Sequence, residues 1–340
     1  MTAKSRLSNI ELLRIFSMFG VLIVHADFGA LGNPTHTELF FTPVFTIMRT
    51  FIEAFAIVAV NVFVLISGWF GIKFSWNSLC KLLFQCAFFF FGIWGICSEC
   101  GIWNFGWMKS LYMCLMLSEN AWFVKCYIGM FIFTPVMNSF IENSTGKQIR
   151  VFLFCFFIFQ SIYGWISEGA PFIAKGYSTF SFMGLYLLAR YVRVYKPRWS
   201  RWSMRKDFVA YTLFSTMTAF FGGVFIFLDI YPLYVMFFQY SSMLIIAASL
   251  FLVLAFSKFS FSNKVVNKIA ASCFAVYLLH FTLFPTYMSP WIRHIAAEYS
   301  GLVMLGFIIA ILLGFYLSAI LIDQVRLMLW NRMFAGYFKR

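Results

Sequence analysis

Long apolar segments, separated by short polar and charged segments, make up almost the whole chain. A helix needs about 20 predominantly apolar residues to cross the hydrocarbon core of a membrane, and most of these segments have about that length. We therefore predict ten membrane-spanning helices, over residues 10–28, 43–69, 78–98, 121–140, 150–167, 176–193, 208–229, 233–256, 270–290 and 302–323. The predicted fold class is an all-α polytopic membrane protein, with a single transmembrane domain over residues 1–340.

Composition and charge agree with this pattern. Of the 340 residues, 62% are hydrophobic and 11% are charged, whereas soluble domains carry about 25% charged residues. Cytoplasmic loops of membrane proteins are enriched in Lys and Arg. With the N-terminus inside, 20 of the 26 Lys and Arg residues fall in predicted cytoplasmic segments and three in predicted outer loops. We therefore predict cytoplasmic N- and C-termini, and the net charge of +14 needs no nucleic-acid partner to explain it.

Two further segments add little to this picture. Residues 190–206 hold seven Lys and Arg residues, for which we favour contact with anionic membrane lipid over an anionic cytoplasmic ligand. Cys97 and Cys100 have CxxC spacing, but no second pair and no nearby histidine accompany them. We predict packing roles for both cysteines and no metal site.

The first predicted span contains Arg14 and His25, which are 11 positions apart. In a helix this separation leaves a net rotation of only about 20° and a rise of about 16 Å, so both side chains lie on one face at different depths. Ionisable groups are costly in hydrocarbon and usually face a cavity or a protein interior. The spacing therefore favours a functional pathway or site. The alternative is that Arg14 extends to the membrane surface and His25 makes an ordinary interfacial hydrogen bond.

The Arg-x10-His spacing and several later segments resemble the acyltransferase-3 family, membrane-embedded enzymes that O-acetylate bacterial surface glycans. The matching segments are NVFVLISGWF at 61–70, AWFVKCYIGMFIFTPVMNSF at 121–140, GLYLLARYVR at 184–193 and VYLLHF at 276–281. The resemblance covers most of the chain and implies an acyltransferase of about ten helices in the bacterial cytoplasmic (inner) membrane. It also implies acetyl-CoA as co-substrate and a glycan or lipid-linked glycan as acceptor.

The resemblance implies a division of labour between the two ends of the first span. Arg14 near the cytoplasmic side would contact the acyl-CoA donor, because its guanidinium group suits phosphate. Lys81 and Ser67 would contact the same donor. His25 nearer the outside would take the proton from a sugar hydroxyl. Whether acetyl first sits on His25 or moves directly to the sugar is left open by the sequence.

Four other residues are candidates with structural alternatives. Glu53 could orient His25 as a catalytic carboxylate, or it could neutralise Arg49 one turn earlier. Lys125 and Trp122 could contact the acceptor, although a lysine there could equally extend to the membrane surface. His280 could lie in the cavity or make a hydrogen bond within the protein core.

One departure from the family pattern concerns the donor side. Many members carry an Arg-x-x-Arg pair at the cytoplasmic start of the third span, where this chain has SWNSLCKLL with Lys81 as its strong cation.

The main rival function is a transporter or flippase of a glycan or anion, which would explain the intramembrane charges as a pathway. A glycan polymerase is less favoured, because such proteins usually carry a large outer loop.

Overall fold

The computed structural model describes residues 7–101, 106–117, 121–167 and 172–334. In these residues the secondary structure is helical, with short loops between helices and no strand. The α-helices are α1 (Ser8–Val24), α2 (His36–Phe41), α3 (Pro43–Ala56), α4 (Ala59–Phe70), α5 (Trp76–Glu99), α6 (Trp107–Cys114), α7 (Trp122–Glu142), α8 (Gly146–Ser161), α9 (Thr179–Tyr195), α10 (Met204–Phe227), α11 (Tyr231–Phe237), α12 (Met243–Ser257), α13 (Lys264–Ala270), α14 (Cys273–Leu283), α15 (Ser289–Glu298) and α16 (Gly301–Phe334). Segments of π-helix extend α1 over His25–Leu31, α8 over Ile162–Ile166 and α14 over Phe284–Met288.

Within these described ranges, eight helical segments are long and apolar enough to cross a membrane. They are Ser8–Leu31, Pro43–Phe70, Trp76–Glu99, Trp122–Glu142, Gly146–Ile166, Met204–Phe227, Lys264–Leu283 and Gly301–Phe334. The sixth predicted span is α9, which has 17 residues, and the eighth is divided into α11 and α12. The all-α polytopic fold predicted from the sequence is confirmed, and the chain is a multi-pass membrane protein. The orientation of its termini stays a prediction.

Local sequence explains where several helices begin. The side chains of Ser75, Ser178 and Ser203 accept hydrogen bonds from the backbone N–H three residues later, at the starts of α5, α9 and α10. Thr145 and Gln148 form a reciprocal capping box at the start of α8. These bonds satisfy backbone donors that the first helical turn leaves without partners.

The break in the eighth span lies between Phe237 and Met243. Irregular backbone is tolerated at membrane depth where protein groups satisfy its hydrogen bonds. Here Asn61 Nδ2 donates to Tyr240 O at 3.0 Å, and Ser241 Oγ donates to Gly164 O at 2.6 Å. The backbone N–H of Ser241 donates to Lys175 O. The break is therefore held by three other parts of the chain.

The Ser67–Gly68 pair brings α4 against α9. A Cβ atom at Gly68 would lie 2.3 Å from the backbone oxygen of Tyr186, so only glycine permits this approach. Tyr186 itself is fully buried, and its hydroxyl donates to Asn138 Oδ1 at 2.8 Å. Close packing of small residues is a common way for membrane helices to associate. In this pair Gly68 serves the packing and Ser67 faces a cavity.

Candidate active site

A cavity of about 490 Å³ lies among α1, α4, α5, α7, α14 and α16. Five of the eight predicted site residues line it: Arg14, His25, Ser67, Lys81 and Trp122. The other three, Glu53, Lys125 and His280, lie outside its lining. Residues that are 250 positions apart in sequence, such as Lys81 and Asn331, therefore meet at one internal space.

Helices α1 and α14 run side by side along this cavity. Arg14 on α1 lies within electrostatic range of Cys273, at the start of α14. Further along, the ring of His25 contacts that of His280, near the end of α14. The two helices thus run in the same direction and define an Arg14 end and a His25 end of the cavity. Along α1 these ends are about 16 Å apart, because an α-helix rises about 1.5 Å per residue.

At the Arg14 end, the guanidinium is only loosely paired. Its Nη1 lies 3.9 Å from Oε2 of Glu11, three residues earlier on the same helix. The Arg14 side chain is 31% exposed, so the pair leaves donors directed to the cavity. Lys81 on α5 and Arg326 on α16 line the same cavity. Three helices therefore contribute one cation each.

The Arg326 guanidinium is held by a buried carboxylate. Its Nε and Nη2 donate to the two oxygens of Asp323 at 2.8 and 2.9 Å. Asp323 also accepts hydrogen bonds from Gln85 Nε2 at 3.2 Å and Ser272 Oγ at 2.8 Å. Since these donors come from α5 and the turn before α14, the Arg326 side chain has one fixed position in the cavity wall.

Ser67 contacts a tyrosine of the opposite wall. Its Oγ lies 3.1 Å from Tyr127 Oη, and it also donates to Phe63 O at 3.1 Å. All three residues line the cavity. Hydroxyl groups that can both donate and accept are therefore available on its otherwise aromatic surface.

The His25 ring is enclosed by two other rings. It meets His280 at a centroid distance of 4.9 Å and an interplanar angle of 85°, and Phe284 at 5.4 Å and 89°. Phe284 also lies against Gly29, where a Cβ atom would approach the phenyl ring to 2.8 Å. These edge-on contacts restrict rotation of the imidazole while one side of it still faces the cavity.

His280 is fully buried behind His25. Its Nδ1 lies 3.0 Å from Val276 O, and because a carbonyl oxygen only accepts, Nδ1 carries the proton. The other nitrogen, Nε2, is buried and has no hydrogen-bond partner within the described residues. Of the two sequence interpretations the structure shows the core hydrogen bond: His280 lies outside the cavity lining and contacts His25, which does line it.

Aromatic side chains line the cavity around Trp122. The centroid of the Trp122 ring lies 4.4 Å from that of the Tyr177 ring and 5.7 Å from that of the Tyr240 ring. Tyr240 belongs to the break in the eighth span. Trp122 and Tyr240 line the cavity. Lys125, on the same helix as Trp122, has an exposed side chain. The structure therefore separates these two predicted acceptor residues.

A buried ion-pair network lies next to the π-helical end of the first span. Arg49 is only 4% exposed, and its Nε lies 2.5 Å from Asp27 Oδ1. Its Nη1 lies 3.3 Å from Glu38 Oε1, and its Nη2 donates to Gly32 O. Arg49 thus ties α3 to α2 and to the segment after His25. Asp27 faces this network, away from His25, as its two-residue offset indicates.

Glu53 is fully buried beside this network, and among the described residues it forms no ion pair. Neither of its carboxylate oxygens has a hydrogen-bond partner in the part of the chain that the structure describes. The interpretation that Glu53 neutralises Arg49 is replaced by pairing of Arg49 with Asp27 and Glu38. Arg49 and Asp27 nevertheless lie within electrostatic range of Glu53.

Several residues of the site are not identified by the sequence pattern. Arg326 counts there only as a cytoplasmic charge, and Gln85 and Asp323 lie in segments that are otherwise apolar. One signal was available, because Gln85 and Asp323 are polar residues inside predicted spans, where such groups usually have a function or a partner.

Together these features define a polytopic membrane protein with a polar site inside its helical bundle. In residues 7–101, 106–117, 121–167 and 172–334, no group of three or more His, Cys, Asp or Glu side chains could hold a metal ion. Residues 7–323 match the model of an acyltransferase domain, Acyl_transf_3. The chain therefore belongs to the acyltransferase-3 family and is a membrane acyltransferase. No curated protein and no solved structure gives a significant match.

Proposed function

We propose that the protein is an O-acyltransferase of the bacterial cytoplasmic membrane. It moves an acetyl group, or another acyl group, from cytoplasmic acyl-CoA to a sugar hydroxyl of a surface polysaccharide or of its lipid-linked precursor. The observation that carries this proposal is that Arg14 and His25 line one cavity at different depths. A phosphate-binding group at one end and a proton acceptor at the other suit a donor and an acceptor that enter from opposite sides.

The donor occupies the Arg14 end in this proposal. The diphosphate of coenzyme A is anionic, and Arg14 and Lys81 offer charge-assisted donors to it. The pantetheine arm then runs along the cavity past Ser67 and Tyr127, whose hydroxyls can bond its amides. This path brings the thioester toward His25.

The acceptor sugar meets the thioester at the His25 end, next to the aromatic wall of Trp122. A neutral His25 takes the proton of the attacking hydroxyl, and the oxygen forms a bond to the thioester carbonyl carbon. The carbon–sulfur bond then breaks, and the coenzyme A thiolate receives the proton from His25. His280 restricts the orientation of the His25 ring through their edge-on contact. Glu53 is proposed as a second catalytic carboxylate, and Lys125 as a contact for the exposed part of the acceptor.

The test is release of free coenzyme A thiol by the purified protein. Acetyl-CoA is supplied with and without a glycan acceptor isolated from the source membrane, and thiol release is followed with a thiol-reactive dye. Acceptor-dependent release that is lost in His25→Asn supports the proposal. A protein that binds and moves the glycan across vesicles without releasing thiol would instead be a transporter.

A further inference from the structure

Helix α16 continues well past the segment that matches the family. It has 34 residues and is therefore about 51 Å long, whereas the hydrocarbon core is about 30 Å thick. The family match ends at residue 323. Arg326, Trp330 and Asn331 follow this point and line the cavity. Because residues four positions apart share a helical face, Arg326 and Trp330 lie on the face of this extension that forms part of the cavity wall.

The extension presents a fixed cation. The bidentate pair with Asp323 uses Nε and Nη2 of Arg326, and Nη1 donates no hydrogen bond within the described ranges. The side chain is only 7% exposed, and Asp323 is itself held by Gln85 and Ser272. A guanidinium fixed in this way loses little conformational entropy when it binds an anion.

The extension also places an aromatic ring in the cavity wall beside a second cation. Lys81 Nζ lies 5.9 Å from the centroid of the Trp330 ring, and Trp330 is 6% exposed. The centroid of the Trp330 ring also lies 5.3 Å from that of Phe84 and 4.7 Å from that of Phe334. Aromatic rings held in place can stack on a nucleotide base, and this contact is tolerant of base identity.

We propose that this extension of α16 completes the binding site for the nucleotide end of the donor. Arg326 and Lys81, with Arg14, contact the phosphates of an adenine nucleotide carrying a diphosphate, and Trp330 stacks on the base. This inference rests on the proposed use of acyl-CoA.

The experiment compares a donor that has the nucleotide with one that lacks it. Coenzyme A affinity is measured by calorimetry in detergent, and transfer is assayed with acetyl-CoA and with S-acetylpantetheine. The variants are Trp330→Ala and the double variant Arg326→Gln with Asp323→Asn, which removes the cation without leaving a buried carboxylate unpaired. Arg332→Gln, an exposed cation of the same helix, is the matched control.

We expect each test variant to bind coenzyme A about 10- to 100-fold more weakly, because the double variant loses hydrogen bonds to a charged group and Trp330→Ala loses base stacking. Their transfer from S-acetylpantetheine should stay at the wild-type rate, and Arg332→Gln should bind coenzyme A normally. Unchanged coenzyme A affinity in both test variants would overturn the inference. A wild-type protein that does not bind coenzyme A at all would instead overturn the proposed function.

Discussion

The imidazole rings of His25 and His280 meet edge to face, with centroids 4.9 Å apart and planes at 85°. The two residues are 255 positions apart in sequence, and they join the first span to the end of α14. One ring faces the cavity and the other is fully buried with its Nδ1 bonded to the backbone. Each histidine therefore has a ring contact inside the membrane-spanning bundle that accounts for its position there.

The first prediction concerns His25 as a proton acceptor. His25→Asn keeps a polar side chain of similar reach but cannot take the proton of a sugar hydroxyl. We expect the variant to fold and transfer to fall about 10²- to 10⁴-fold, the usual loss when general-base catalysis is removed. In the wild type, transfer should also fall as the pH is lowered, because an imidazolium cannot accept the proton.

Mass spectrometry of surface polysaccharide from a complemented knockout strain measures this outcome in cells. Glycan of normal length without acetyl groups supports the enzyme. Full acetylation in the His25→Asn strain contradicts the mechanism, and complete absence of surface glycan points to transport.

The second prediction separates the two ends of the cavity. Arg14→Ala removes a phosphate contact and should weaken acetyl-CoA binding about tenfold or more. His25→Ala should bind acetyl-CoA nearly as the wild type does, while losing transfer. Calorimetry of both variants in one detergent measures the two acetyl-CoA affinities. An equal loss of affinity in both would place His25 in the donor site.

The third prediction concerns the buried nitrogen of His280. Its Nε2 has no partner among the described residues, and we expect it to accept a hydrogen bond from His25 when that ring becomes protonated. His280→Phe keeps the ring and its packing but removes both nitrogens, and it should lower kcat about tenfold with little change in KM for acetyl-CoA. His280→Gln retains an amide at the reach of Nε2 and should restore part of the rate. Equal activity of all three proteins would assign His280 to packing alone.

The fourth prediction concerns the Arg49 network, which we expect to serve stability. Arg49→Met leaves Asp27 buried without its cation, at a cost of about 3–5 kcal/mol. A thermal-shift assay should show a lower Tm for Arg49→Met than for Arg150→Met, which removes an exposed cation from α8.

Glu53→Gln breaks no ion pair among the described residues, so this variant should keep the Tm of the wild type. Loss of transfer in Glu53→Gln at an unchanged Tm would support its catalytic assignment.

The fifth prediction concerns topology. Because 20 of the 26 Lys and Arg residues fall in predicted cytoplasmic segments, we expect both termini inside. Reporter fusions at Lys339 and within residues 190–206 should both report the cytoplasm. A periplasmic signal from either fusion would contradict the placement of Arg14 on the cytoplasmic side, where the donor enters.

Hydropathy was sufficient to place most of the helices, because a continuous apolar run of bilayer length has few other stable structures. It did not locate the break in the eighth span, because residues 233–256 are apolar enough overall to predict one continuous helix. The polar residues Gln239, Ser241 and Ser242 were a signal of the break, since each interrupts that run.

Helical spacing also placed Arg14 and His25 on one wall, because that relation depends on a single helix. Partners in distant sequence could not be found in this way. Arg326, held by Asp323, reaches the cavity through the packing of α16 against α14 and α5. Likewise, nothing local indicates that Arg49 pairs with Asp27 and Glu38 and not with Glu53 one turn away.

The divided eighth span also bears on how the protein is made. Neither α11, with 7 residues, nor α12, with 15, reaches the length needed to cross the bilayer by itself. The groups that hydrogen-bond the segment between them, two to its backbone and one to the Ser241 hydroxyl, belong to Asn61, Lys175 and Gly164, which are all translated earlier. Each partner has therefore already left the ribosome when residue 238 emerges. The partners that stabilise the break are thus synthesised before the interrupted helix that needs them.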